Sequence, residues 1–117
     1  MNISKDLVAA SATPLVLAIL NEGESYGYAI QKRVRDLSGG ELEWTDGMMY
    51  PLLHRLERNG HIVASWGKSE TGRRRKYYRL TDHGRKELSR QQRQWQLVES
   101  TLRSIRMAAA DTIPQEI

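Results

Sequence analysis

Apolar residues recur at helical spacing in four stretches of this chain, and at strand spacing in a short region between the third and the fourth. Residues 4 to 21 are rich in alanine and leucine, with Leu7, Ala10, Leu17 and Leu20 on the repeat. Pro14 interrupts the stretch. Either a kinked helix spans it, or a second helix starts there, with Thr13 as cap and Pro14 at the first position. Asn21 to Ser25 reads as a stop and a turn. Ser25 is placed to cap a second helix through Leu37, with Tyr28, Ile30, Val34 and Leu37 as its inward residues. Ser38-Gly39-Gly40 ends it. Glu41 to Trp44 alternates and predicts a short strand. Thr45 or Asp46 caps a third helix, on which Met49, Leu52, Leu53 and Leu56 form a buried stripe. Pro51 lies near its start, and Asn59-Gly60 turns the chain out of it.

His61 to Trp66 and Lys76 to Leu80 read as two strands, with Lys68 to Arg75 as the intervening tip. Thr81 caps a last helix that runs to roughly Met107, with Asp82 in its first turn. On it Leu88, Trp95 and Leu102 recur on a heptad, and Gln91, Val98 and Ile105 interleave with them. The result is a coiled-coil-like seam of about three heptads. Such a seam packs either on its own domain or on a second chain; its length favours a homodimer. Gln91 and Gln92 make it more polar than a plain zipper, which favours a wet cavity. Ala108 to Ile117 reads as a frayed tail.

The predicted fold is mainly α with a small β-hairpin: a winged helix-turn-helix plus a long C-terminal dimerisation helix. Residues 1–81 form the winged-helix DNA-binding part, including the N-terminal helix. Residues 82–117 form the dimerisation helix and tail. In this layout one helix enters the DNA major groove and the hairpin touches the backbone beside it.

Charge sharpens the picture by its placement. The net charge of +4 is modest, yet Arg73 to Lys76 are four adjacent cations in the hairpin. At 117 residues the chain is one domain. It has no cysteine, so it offers no disulfide and no thiolate site. His54, His61 and His83 lack metal-ligand spacing, and no glycine-rich phosphate loop occurs, so no metal and no cofactor are expected. Gly23-Glu24-Ser25-Tyr26-Gly27 formally matches a nucleophile elbow. That motif needs a preceding strand and a large sheet, so no catalytic residue is expected. With no signal peptide and no apolar run of membrane-spanning length, a cytoplasmic location is expected.

DNA contact is expected from the outward face of the third helix, through Met48, Tyr50, Pro51, His54 and Arg55, with Arg58 further along. The Tyr50 hydroxyl can bond a phosphate or a base, or its ring can pack against Tyr26 or Tyr28. Arg55 can instead pair with Glu57 or Glu43. In the wing, Lys68, Arg73, Arg74 and Arg75 outnumber the nearby acid, Glu70. Strand alternation sets Arg73 and Arg75 opposite Arg74 and Lys76, one pair for the DNA backbone and one for the protein surface. Tyr77 and Tyr78 read as hairpin packing.

Several motifs occur together and in order: Tyr26-Gly27-Tyr28-Ala29-Ile30, Met49-Tyr50-Pro51-Leu52-Leu53, Arg55-Leu56-Glu57, Gly72-Arg73-Arg74-Arg75-Lys76-Tyr77-Tyr78 and Leu80-Thr81. In these the chain resembles the PadR family of transcriptional regulators, over roughly residues 15 to 105. The single C-terminal helix is similar to the short branch of that family. The resemblance implies a homodimeric winged-helix repressor, released from DNA when a small molecule binds or, in some members, by an unknown cue; the expected partner is double-stranded DNA at a palindromic operator. Multidrug-binding relatives place a tryptophan at the position of Trp95, where paired rings sandwich a flat aromatic compound. The resemblance thus implies a ligand site of Trp95, with Leu7 and Val98 lining the same space and Glu99 available to a cationic ligand. Trp95 can equally close the dimer as a core residue. The dimer interface would comprise Leu88, Gln91, Trp95, Val98, Leu102 and Ile105. The chain departs from the family at Met48, where many relatives carry a small or hydroxyl residue, and at Pro14 in the first helix. Two other readings of a winged helix stay open: a protein-interaction or drug-binding module, and an activator.

Overall fold

The computed structural model of the chain describes residues 2–111. Its first element, α1 (Lys5–Asn21), starts at Ser4, whose hydroxyl accepts from the Leu7 amide at 3.1 Å. The helix runs unbroken through Pro14, so no second helix starts at Thr13. Pro14 has no N–H to give the Ala10 carbonyl, and Ala10 is exposed, where water can serve that oxygen. Ala12, Val16, Leu17, Ile19 and Leu20 face the core. Leu7 and Ala10, expected on the same stripe, are exposed.

Ser25 is not a helix cap. Ser25 and Tyr26 form a two-residue strand, β1, and Tyr26 precedes α2 (Gly27–Leu37) without any side-chain cap bond. Ile30 and Val34 are buried on α2, while Tyr28 and Leu37 are exposed. Tyr28 lies two residues before Ile30, on the opposite side of the helix. Leu37, in the last turn, borders a shallow hollow with Leu15, Ile19 and Leu42. Glu41 to Trp44 forms no strand. Its Trp44 ring is buried, and its carbonyl accepts from Gln31 Nε2 at 3.3 Å.

Thr45 caps α3 (Asp46–Arg58), its hydroxyl accepting from the Met48 amide at 3.2 Å. Met49, Leu52, Leu53 and Leu56 form the buried stripe that their spacing predicts. Gly60, with φ of 78°, takes the left-handed conformation that turns the chain into the hairpin. β2 (Ile62–Lys68) and β3 (Arg74–Leu80) pair antiparallel, Ile62 opposite Leu80 through Lys68 opposite Arg74. β1 adds to the far side of β3, with Ser25 opposite Tyr78, in the order β1-β3-β2. Ile62, Tyr78 and Leu80 close the core from the sheet.

The Thr81 hydroxyl accepts from the Gly84 amide at 3.0 Å and starts α4 (Asp82–Asp111). The helix extends past Met107 to Asp111, and residues 112–117 of the predicted tail lie outside the described residues. Leu88 is 4% exposed and belongs to the protomer's own core, so it is not available to a partner. Beyond Gln91 every described side chain of α4 is exposed. No helix among the described residues is long and apolar enough to cross a membrane.

Candidate nucleic-acid interface

Three elements meet around a groove of about 610 Å³: the start of α2, the outward face of α3 and the arm of the wing. Tyr50 and His54 line it from α3. Arg73, Arg74, Arg75 and Lys76 line it from the wing, and Tyr26, Tyr28 and Trp66 complete its walls. The groove thus gathers aromatic faces and cations and presents few acids, the chemistry of a surface that accepts phosphate and bases.

α3 is held beside this groove by polar ties at both ends. Gln31 on α2 donates to the Asp46 carboxylate at 2.8 Å, which anchors the first turn of α3. Near the other end, the Glu57 carboxylate pairs with Lys76 of the wing at 3.5 Å. That contact sets the wing against α3 and occupies part of the Lys76 charge. Tyr50 is 40% exposed. Its hydroxyl abuts Gly27, where a β-carbon would fall 2.6 Å from the oxygen. The ring therefore packs against the glycine between Tyr26 and Tyr28, and still opens into the groove.

The wing cations are held on aromatic rings. Arg75 lies 3.8 Å from the centroid of Tyr26, which meets Tyr77 edge-on, and Arg74 lies 4.3 Å from that of Trp66. Pairing in the ladder puts Arg74 and Arg75 on opposite faces, as alternation requires. Both nevertheless reach the groove, because the side chains are long, so the division into a DNA pair and a protein pair does not hold.

Four other expected DNA residues sit elsewhere. Met48 is half-buried against the core, one residue before the buried stripe. Pro51 and Lys68 are exposed but outside the groove walls. Arg55 leans toward α1, donating to Thr13 at a long 3.4 Å, and pairs with neither Glu57 nor Glu43 among the described contacts. Conversely, Trp66, Tyr26, Tyr28 and Gly27 line the groove, although none of them was expected to contact DNA. Trp66 had a signal: it shares strand parity with the inward Ile62 but lies past the edge of the core.

A profile of the transcriptional regulator PadR-like family matches residues 16–90, from within α1 to the first third of α4. The chain belongs to the PadR-like family of transcriptional regulators. Solved structures agree. A transcriptional regulator from Clostridium thermocellum is similar at 33% identity and a TM-score of 0.79, covering 87% of this chain and 96% of that one. A PadR family regulator from Clostridium difficile shows 30% identity and a TM-score of 0.72, covering 81% and 97%. A Streptococcus mutans protein shows 29% identity and a TM-score of 0.77 over 99% of this chain and 98% of its own. Membership makes this PadR-like chain a DNA-binding transcription regulator, not an enzyme.

The PadR-like chain has a second opening, an apolar cavity of about 500 Å³ between α1, α4 and the loop after α2. Leu7, Pro14, Leu15 and Trp95 are among its walls, and Gln92 lines it, while Gln91 bonds Glu87. The Ser11 hydroxyl faces the cavity wall but is turned back onto the Leu7 carbonyl at 2.7 Å, which spends its donor. Of the expected ligand residues, Trp95 and Leu7 meet here. Val98 and Glu99 do not, since they lie nearly a turn or more beyond Trp95. The Glu99 carboxylate is engaged by Arg103 at 3.2 Å and Arg106 at 3.7 Å.

Proposed function

We propose that this protein is a cytoplasmic, homodimeric transcriptional repressor that a small flat aromatic ligand releases from a palindromic operator. The observation that carries this reading is the groove joining Tyr50 and His54 of α3 to Arg73, Arg74 and Arg75 of the wing. Each protomer inserts α3 into the major groove of one half-site, the half-sites one or two helical turns apart. Tyr50 and His54 face base edges and nearby phosphates, and the wing arginines bind backbone. Those backbone contacts hold the protein in register without specifying sequence.

The apolar cavity supports the ligand part of the reading. Trp95 is 37% exposed at its wall, so a flat ring can stack on the indole. A ligand lodged between α1 and α4 changes the separation of the two recognition helices. Its leverage equals its preference for the released form over the DNA-bound form.

The test is binding of a labelled fragment from upstream of the gene, against a scrambled fragment, at one near-physiological salt. Preference of about a thousandfold is expected for a sequence-specific regulator. With about eight phosphate contacts per dimer, affinity should fall with a log–log salt slope near about −7. Equal, weak binding to both fragments would refute operator recognition there. In the same assay flat aromatic compounds should release the DNA from the native protein and fail with Trp95→Ala. Undiminished release from that variant would remove Trp95 from the ligand site.

A further inference from the structure

Trp66 is 58% exposed on the arm of the wing, a place where a tryptophan contributes little to the core. In the ladder it stands opposite Lys76, and Lys68 stands opposite Arg74. Arg74 therefore reaches diagonally across the hairpin to lie over the indole, its Cζ 4.3 Å from the ring centroid. Both side chains line the groove beside Tyr50 and His54. Among the described ion pairs Arg74 has no carboxylate, whereas its neighbour Lys76 is drawn to Glu57.

The way in which a guanidinium is held decides what it can still do. A carboxylate would occupy its N–H edge and cancel its charge. An indole engages only its face, leaving the in-plane N–H donors and the full charge for another acceptor. The ring also confines a side chain that otherwise samples many rotamers, and ordering such a chain on binding opposes association.

We propose that Trp66 is a positioning residue for DNA binding: its indole holds the Arg74 guanidinium at the groove with its N–H edge free for a backbone phosphate. The inference rests on the DNA-contacting role of the wing proposed above. Removing the ring leaves the phosphate contact possible but unorganised. Affinity then falls about two- to tenfold per protomer, for every sequence alike, while the salt slope keeps its value because no charge is lost.

The experiment compares Trp66→Leu, Trp66→Phe, Arg74→Ala and the Trp66→Leu/Arg74→Ala double variant. Each is checked for native circular dichroism, then titrated against a labelled duplex and its scrambled counterpart at several salt concentrations. Trp66→Leu should weaken both duplexes with an unchanged slope, and Trp66→Phe should recover most of the loss. Arg74→Ala should weaken both and flatten the slope by about one per phosphate contact removed. On the Arg74→Ala background, Trp66→Leu should add nothing. A full additional loss there would overturn the inference, since Trp66 would then touch DNA on its own account. Wild-type affinity in Trp66→Leu would overturn it as well. If Arg74→Ala leaves affinity and slope intact, the role assigned to this part of the wing fails first and takes the inference with it.

Discussion

At Gly84 a β-carbon would fall 2.0 Å from the His61 carbonyl oxygen, and at Gly27 it would fall 2.6 Å from the Tyr50 hydroxyl. The two overlaps differ in what must yield. The His61 carbonyl is backbone at the junction of wing and α4, where the Thr81 hydroxyl and amide also engage it, so it cannot move alone. Alanine at Gly84 gains about 1 kcal/mol of helix propensity. It loses about 3 kcal/mol or more to the clash. Gly84→Ala is therefore expected to lower the midpoint of thermal unfolding clearly. At Gly27 the obstacle is the end of a side chain. Gly27→Ala should cost about 1 kcal/mol of stability, because the ring can tip outward. The tipped ring then intrudes on the groove, and operator affinity should fall about tenfold. Tyr50→Phe removes the overlapping oxygen and leaves ring carbon at 3.0 Å. The pair Gly27→Ala/Tyr50→Phe should bind DNA better than Gly27→Ala alone, measured by anisotropy. A double variant weaker than both singles would show that the close approach is not what Gly27 serves.

The element that joins the wing to α4 titrates. The His61 and His83 rings stack at 4.6 Å between centroids, and the His61 Nδ1 is buried with no partner among the described residues. Burial first, then His83 and Arg90, lower the His61 pKa below 6.5, against an opposing pull from Glu87. A depressed histidine pKa means that the unfolded chain binds more protons. Its contribution to stability is thus complete above about pH 6.5 and is lost as pH falls toward the folded pKa. Glu87 acts in a lower window. Its hydrogen bond from Arg90 brings its pKa from 4.5 down to about 2, so its contribution is present above 4.5 and disappears between 4.5 and about 2. The Arg90 end of the pair is solvated, so its stabilisation is small. Urea unfolding against pH should show two separate declines, the upper one absent from His61→Asn and the lower one reduced in Glu87→Gln, because Glu22 and Asp36, whose pKa values are also lowered, keep part of it. A single decline unaffected by His61→Asn would refute the histidine assignment. The same elements show what periodicity can carry. The α3 stripe was legible because Met49, Leu52, Leu53 and Leu56 pack against one surface, so spacing and burial coincide. The caps at Thr45 and Thr81 were legible because the hydroxyl satisfies local amides. β1 was not, since two residues have no period and Ser25 before a helix has the composition of a cap. The groove was half legible. Its cations stand in one run and the parity of Trp66 follows the hairpin, but Tyr26 and Gly27 enter it through the pairing of β1 with β3, which no local pattern encodes.

α4 has 30 residues and is about 45 Å long, yet it joins the protomer's core only through its first turns, ending at Leu88. Val98, Leu102 and Ile105 follow on one stripe and are 61%, 49% and 60% exposed. A stripe of that length, unpaired in water, is what a second copy of the same helix would cover. In the proposed dimer the seam would start near Trp95 instead of Leu88, which would place the α1–α4 cavity at its margin and couple cavity occupancy to the spacing of the wings. Leu102 lies at the middle of the exposed stretch, far from every contact that folds the protomer. Leu102→Glu should therefore leave the circular dichroism of the domain intact and halve the mass in solution, from twice 13.4 kDa to 13.4 kDa, by light scattering at fixed concentration. Two half-sites bound by linked protomers gain from effective concentration, so the separated protomers should lose about a hundredfold or more in operator affinity. Their salt slope should also approach half the native value, because each complex then engages half the phosphates. A native chain that already has a mass of 13.4 kDa would refute the seam. A dimeric Leu102→Glu variant would move the interface to α1, and with it the site at which a ligand could alter the distance between the recognition helices.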